Sequence, residues 1–299
     1  MLSRLSPVAL AAIGTALLCV MDAVIKHLSI TNSALAIALG RYVFGAAAAG
    51  AIWNAAGRPG ITMEMVRAHA LRAVLIATSA WCFFYALGQL ELVEAITLGF
   101  VAPLLVPFAA WALLGEKPRV TNVAAGVIGF IGAVIAANGQ PIEDQSPERI
   151  AGIAAALTAS VTYALSIALL RQRADKDGAP VVGLMQTLLP MAIVAGPAIM
   201  LSPLPPLGDL PWFLVMGTLG ATGWYLLIKA YARTEAQRLA PLEFTALIWA
   251  SFFGYVLFSE TPRPQVYAGA ALIISACLFA AWEERRTRLA PAPQTTLGD

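Results

Sequence analysis

LGFVAPLLVPFAAWALLGEKPR, residues 98–119, lies without a gap over LEFTALIWASFFGYVLFSETPR, residues 242–263, at a register of 144. Leu98 meets Leu242, Phe100 meets Phe244, Ala102 meets Ala246, Phe108 meets Phe252 and Leu113 meets Leu257. The turn Glu116-Lys117-Pro118-Arg119 meets Glu260-Thr261-Pro262-Arg263, which brings the identities to 8 of 22 positions. Apolar composition alone does not align a Glu-x-Pro-Arg turn, so the chain reads as a duplication. The first copy is expected over residues 1–140 and the second over 141–284, with a disordered cytoplasmic tail at 285–299.

The composition says what solvent the two copies fold in. Of 299 residues, 59% are hydrophobic and 12% are charged, against about 25% charged in soluble domains. A soluble chain of this size lacks the interior volume to hide so much apolar surface. Low charge with abundant Leu, Ile, Val and Phe excludes a disordered chain. Three cysteines exclude a disulfide scaffold, and a net charge of +2 argues against nucleic acid as a partner. The apolar runs are continuous rather than alternating, so the protein is expected to be all-α and integral to a membrane, not an outer-membrane barrel.

A helix needs about 20 apolar residues to cross the hydrocarbon. Ten such runs are present: 7–26, 34–53, 71–90, 95–114, 120–137, 150–170, 181–200, 211–231, 239–257 and 266–282. That is five per copy. An odd number makes the second copy enter from the opposite side, the arrangement that lets one half rock against the other about a midplane site. Alternate loop assignment from a cytoplasmic N terminus puts 15 Lys and Arg inside and 3 outside (Lys26, Arg149, Arg263), with Arg41 inside the second span. The positive-inside rule then places both termini in the cytoplasm. The first run is long, contains Asp22 and lacks a small-residue cleavage site, so it reads as an uncleaved span rather than a secretory signal. Cys19, Cys82 and Cys277 fall inside spans and read as packing residues.

With ten spans, two five-helix copies and a Glu-x-Pro turn closing the fourth and ninth spans, the chain resembles the drug/metabolite transporter superfamily, EamA type. Residues 238–245, RLAPLEFT, look like its amino-acid exporter branch, of the YddG aromatic type. The resemblance implies a cavity lined by spans 1–4 and 6–9, with spans 5 and 10 as buttresses. It implies substrate class only loosely, because family members export amino acids, drugs or other metabolites.

Ionisable residues inside spans are costly and mark candidate sites. Asp22, Arg41 and Lys26 are the clear cases. Asp22 is expected to pair with Arg41 at similar depth or with Lys26 one turn on, either fixing helix packing or facing the cavity. Glu243, just after Pro241, is either a carboxylate favoured by a helix N-terminus or a ligand for a substrate ammonium. Glu91 and Glu94 read as solvated outer-loop residues. Trp81 and Tyr85 share one face of the third span, and Trp224 and Tyr225 match them in the eighth. Phe100, Phe244, Tyr163 and Trp249 complete an aromatic set at membrane depth. Such a set suits an apolar or aromatic side chain by stacking, or an aromatic cation. Pro103 and Pro107 interrupt the fourth span and, with Pro241, are candidate hinges. Pro190 and Pro197 in the seventh span set a hinge or a static bend. The stripe Gly126, Gly129, Gly132, facing Gly269, Ala270 and Ser275, reads as buttress packing.

No metal, cofactor or catalytic constellation is visible. The expected function is a multi-pass transporter of the bacterial inner membrane that exports amino acids, aromatic or hydrophobic ones first. It would work by alternating access on a small-molecule substrate, as a monomer in the bilayer. A multidrug exporter on the same fold is the alternative. A membrane enzyme or a scaffold is the alternative of a different class.

Overall fold

The computed structural model describes every residue except 1–5, 116, 117, 119, 138–145, 172, 173, 232–243 and 290–299. The described residues with regular structure are all helical. In order they are α1 (Pro7–Leu28), α2 (Ala34–Ala55), α3 (Met63–Gln89), α4 (Leu92–Gly99), α5 (Val101–Leu114), α6 (Val120–Ala137), α7 (Pro147–Arg171), α8 (Ala174–Asp177) and α9 (Ala179–Leu201). A 3₁₀ turn at Leu207–Asp209 leads into α10 (Leu210–Tyr231), and α11 (Ala246–Phe258) and α12 (Pro264–Leu289) close the chain.

Local chemistry sets several of these boundaries. Ser6, Ser33 and Thr62 cap α1, α2 and α3 by accepting from Ala9 N, Ala36 N and Met65 N at 3.2, 3.2 and 3.3 Å, and such caps satisfy orphan helix donors. The cap at Thr62 starts α3 well before the expected Leu71. The expected fourth span is broken at Phe100 into α4 and α5. Pro103 has no N–H for the carbonyl four residues back, at Gly99, which is where α4 ends. The Ser160 hydroxyl on α7 donates to the nearby Leu98 carbonyl at 3.0 Å. Pro190 and Pro197 sit inside an unbroken α9. At the C-terminal end α12 runs to Leu289, so residues 285–289, expected in the tail, are helical. Glu283 to Arg288 are mostly good helix formers, and Pro291 disfavours helical backbone only at the residue before it.

Seven helical stretches among the described residues are long and apolar enough to cross a membrane. Three shorter apolar ones are Val123–Ala136, Ala246–Phe258 and Pro264–Phe279. Residues 239–243, where the ninth span was expected to begin, lie outside the described ones. Large apolar side chains stay exposed on the outer faces, among them Val120, Met200 and Tyr255, as suits lipid contact.

The most extensive helix contacts all join the first half of the sequence to the second. α1 packs on α10, α3 on α7, α6 on α12, α2 on α9 and α10, and α5 on α7. Glycine allows the closest of these. A Cβ on Gly217 would stand 2.4 Å from Phe44 Cβ and 2.7 Å from Gly45 N. Six residues on, a Cβ on Gly223 would stand 3.1 Å from Gly14 O. The α6 stripe is packed as expected: Gly126 faces Phe108, Gly129 faces Leu104, and Gly132 meets the backbone of Gly269 on α12.

Candidate substrate site

One end of the bundle is sealed by charge. There the C-termini of α1, α3 and α11 meet the N-termini of α4 and α7. Ser259 ends α11 in the left-handed region (φ 57°), and Glu260 N–H turns back onto Gly254 O at 3.0 Å. Gly254 has no side chain to obstruct this, since a Cβ would lie 2.7 Å from Glu260 Oε2. The Glu260 carboxylate therefore reaches two partners. Oε1 lies 2.7 Å from Lys26 Nζ, and Oε2 accepts the Leu92 N–H at 2.8 Å, where the dipole of α4 favours an anion. Lys26 also donates to the Leu87 carbonyl at 3.3 Å and to the Leu90 carbonyl. Glu260 is the second copy of the repeated Glu-x-Pro-Arg turn. Glu116, the first copy, lies outside the described residues.

This network corrects two expectations. Lys26 pairs with Glu260 rather than Asp22, because the end of α3 and the α11 turn offer it acceptors beyond its own helix. Glu94 and Glu91 are not solvated loop residues. Glu94 is 1% exposed and pairs with Arg149 of α7, because the first turn of α4 is tucked between α7 and α11. Glu91 is half-buried with Oε2 unpartnered. Burial first, and then the nearby Glu260 carboxylate, push its pKa up. The folded chain thus holds that proton at a pH where the unfolded chain has lost it. Glu91 adds stability at acidic pH, and that contribution is lost as pH rises through its folded pKa. The same end is tied further by Thr31 and Asn32 donating to Asp209 at 2.8 and 2.7 Å. Ser33 and Ser202 share a bond of 2.7 Å there.

Towards the opposite end α2, α9 and α10 part around a hollow of about 20 Å³ walled by Ala49, Gly183, Gln186, Trp224 and Tyr225, among others. It has room for about one water. Its walls are apolar and aromatic with one amide, the mixture that small-molecule sites use. Gln186 Oε1 accepts from Arg72 Nη2 of α3 at 3.2 Å. Arg72 is 4% exposed, and its Nε is buried without an acceptor. The ring of Tyr163 on α7 lies 6.3 Å from that of Trp224, tilted by 46°. On the other flank Lys229 Nζ sits 4.6 Å from the centroid of Tyr225. One turn before Arg72, His69 Nε2 meets Asp177 Oδ2 at 2.9 Å, both side chains buried.

The expected aromatic set does not form one lining. Trp224 and Tyr225 wall the hollow just described, with Tyr163 beside Trp224. Trp81 and Tyr85 line a separate, open-sided hollow of about 200 Å³ with Cys82 and Ala155. Trp81 is roughly 13 Å from Arg72 along α3 and on its opposite face. Phe100 and Phe244 pack edge to face, with centroids 5.2 Å apart. Trp249 stacks on Phe253 at 6.0 Å and is 38% exposed. Asp22 and Arg41 feel one another's charge without a direct ion pair. Arg41 is buried and reaches α10, with Nη2 3.1 Å from where a Cβ on Gly220 would stand. Glu243 and Pro241 lie outside the described residues. Pro103 and Pro107 both fall in α5.

Arg72, Gln186, His69 and Asp177 were missed as site residues. Arg72 lies at the start of the third apolar run, where a positive charge reads as a cytoplasmic loop marker. Once α3 is seen to begin at Met63, Arg72 lies ten residues inside a helix. That was the available signal: the Thr62 cap followed by helix formers.

Comparison with known proteins agrees with this architecture. The model of the EamA-like transporter family matches residues 5–138 and again residues 150–282. An S-adenosylmethionine uptake transporter of Rickettsia bellii is 26% identical over 219 residues, 73% of each chain. A riboflavin transporter of Rhizobium johnstonii is 30% identical over 234 residues, 75% of this chain and 73% of its own. A pseudopaline exporter of Pseudomonas aeruginosa is 25% identical over 280 residues, 91% and 95%. A solved crystal structure superposes with a TM-score of 0.63 at 22% identity, covering 93% of this chain and 98% of that one, which speaks to fold alone. Two matches to one family model, spanning nearly the whole sequence, identify this multi-pass membrane protein as a member of the EamA-like transporter family.

Proposed function

We propose that the chain is a secondary transporter of the bacterial inner membrane that exports amino acids, aromatic or hydrophobic ones first, by alternating access. The observation that carries this reading is the contrast between the two ends. The Lys26 end is shut by ion pairs, while the hollow toward the Arg72 end gathers aromatic rings and hydrogen-bonding groups. By the distribution of Lys and Arg the Lys26 end faces outward and both termini lie in the cytoplasm. The hollow then sits on the cytoplasmic side.

The inverted repeat is supported by the packing. α1 on α10 and α7 on α3 are the same pair once the two halves are exchanged, and α2 on α9 and α6 on α12 are each their own counterpart. Phe100 and Phe244, equivalent in the repeat, touch each other, as equivalent residues do beside a two-fold axis. The relatives named above carry small organic solutes, inward in one case and outward in another. The ring of the substrate would stack among Tyr163, Trp224 and Tyr225, with Gln186 as a polar anchor. Arg72 and Lys229 beside those rings disfavour an aromatic cation.

Counterflow in proteoliposomes tests this reading. Vesicles preloaded with unlabelled tryptophan, phenylalanine or leucine are expected to accumulate the matching labelled solute above protein-free vesicles. S-adenosylmethionine and riboflavin run as parallel arms. Flux of only those two would end the amino-acid reading and keep the transporter. Flux of no solute would end both.

A further inference from the structure

We propose that Arg72 is the counter-ion for a carboxylate on the transported solute. This rests on the reading that the hollow walled by Gln186, Trp224 and Tyr225 is the substrate site.

A guanidinium carries five donors and keeps its charge under all ordinary conditions. Arg72 is 4% exposed in a helix long and apolar enough to cross the membrane. Buried charges in proteins are ordinarily paired, since taking a bare ion out of water is costly. Of the other buried charged residues, Glu94 has Arg149 and Asp177 meets His69, while Arg41 is a second guanidinium without a direct ion pair. Arg72 has no carboxylate within ionic reach among the described residues. Its hydrogen-bond partner is one neutral amide, at 3.2 Å, while Nε has no acceptor. Arg72 does not itself wall the hollow; it meets it through Gln186, which does.

The geometry is suited to an anion. Gln186 occupies one nitrogen of the guanidinium. The Nε edge is left for an incoming acceptor, and a carboxylate takes a guanidinium edge through two parallel hydrogen bonds. A flat ring attached to that carboxylate would fall among Tyr163 and Trp224. Substrate class follows: a ring or apolar group bearing a carboxylate, zwitterionic or anionic, and not a neutral amide or a cation. An unsatisfied buried charge that destabilises the empty protein is also what a binding site costs a fold.

Thermal unfolding of the full-length chain in detergent decides this, with matched probes: tryptophan against tryptophanamide, and indole-3-acetate against indole-3-acetamide. Wild type is expected to be stabilised by the acids and not by their amides, since only a ligand of the native state raises the melting temperature. Arg72→Met is expected to weaken acid binding at least tenfold, and to melt at or above wild type without ligand. Arg72→Lys should keep part of the shift. Equal shifts by amides and acids, no shift by either acid, an intact acid shift in Arg72→Met, or an empty Arg72→Met that melts below wild type or fails to fold would each overturn the proposal. Indole-3-acetate binding without tryptophan binding would retain Arg72 as the carboxylate site and count against the amino-acid reading alone.

Discussion

Glu260→Ala is expected to cost about 3 kcal/mol of stability, near the low end for removing one member of a buried ion pair, because the pair is 14% and 10% exposed. Two groups are stranded at once. Lys26 loses its counter-charge, and Leu92 N–H loses the carboxylate that caps α4, itself an interaction of about 1 kcal/mol. The Leu87 and Leu90 carbonyls still hold Lys26, which keeps the loss from being larger. Removing both charges should be less damaging than removing one. The double variant Lys26→Met/Glu260→Met is expected to melt above Glu260→Ala, since an apolar pair of similar volume replaces a buried ion pair at little cost. Thermal unfolding of the single and double variants reads this as a coupling between the two positions. Strict additivity would mean that the pair contributes nothing.

Gly217→Ala is expected to be the most damaging methyl addition on α10. The new Cβ would stand 2.4 Å from Phe44 Cβ and within 2.8 Å of two backbone atoms of α2, so a helix has to move rather than a side chain. Overpacking of this kind costs about 1–3 kcal/mol, set against a gain of up to about 1 kcal/mol in helix propensity. With backbone in the way, the overpacking falls at the upper end of its range, and a net loss of about 2 kcal/mol is the expectation. Gly50→Ala on α2 is the control, because nothing lies within 4 Å of its Cβ position. There the propensity gain stands alone and the melting temperature should hold or rise. Equal effects at the two glycines would show that α2 and α10 do not pack this closely in the protein.

Much of the fold was legible because its largest energy is written along the chain. Apolar runs of membrane length located the helices, and Pro103 foretold that the fourth span would not be continuous. Thr62 was a readable cap, yet the polar start of α3 (Glu64, Arg67, His69, Arg72) hid eight residues of helix from a count of apolar runs. The same blindness turned Arg72 into a loop marker: charge content alone does not distinguish a lysine or arginine in water from one folded inward. The i, i+4 spacing of Asp22 and Lys26 was real but secondary. Glu260 lies far away in sequence, and only the packing of α11 on α1 and α4 brings it to Lys26. Still, Glu260 stood in the quoted repeat as an identity with Glu116, so the sequence had marked its position without revealing its partner. The aromatic residues stood out in the sequence as a set. Their grouping was not readable, because residues nine apart on one helix point in opposite directions.

The central claim is that the Lys26 end must open for a solute to pass. In a chain with Cys19, Cys82 and Cys277 replaced by alanine, Lys26→Cys and Glu260→Cys can be joined by a reducible bis-thiol crosslinker spanning the former ion pair. Flux of the solute identified by counterflow is expected to fall to the level of protein-free vesicles when the link is made, and to return on reduction. Unchanged flux through the crosslinked protein would contradict the account.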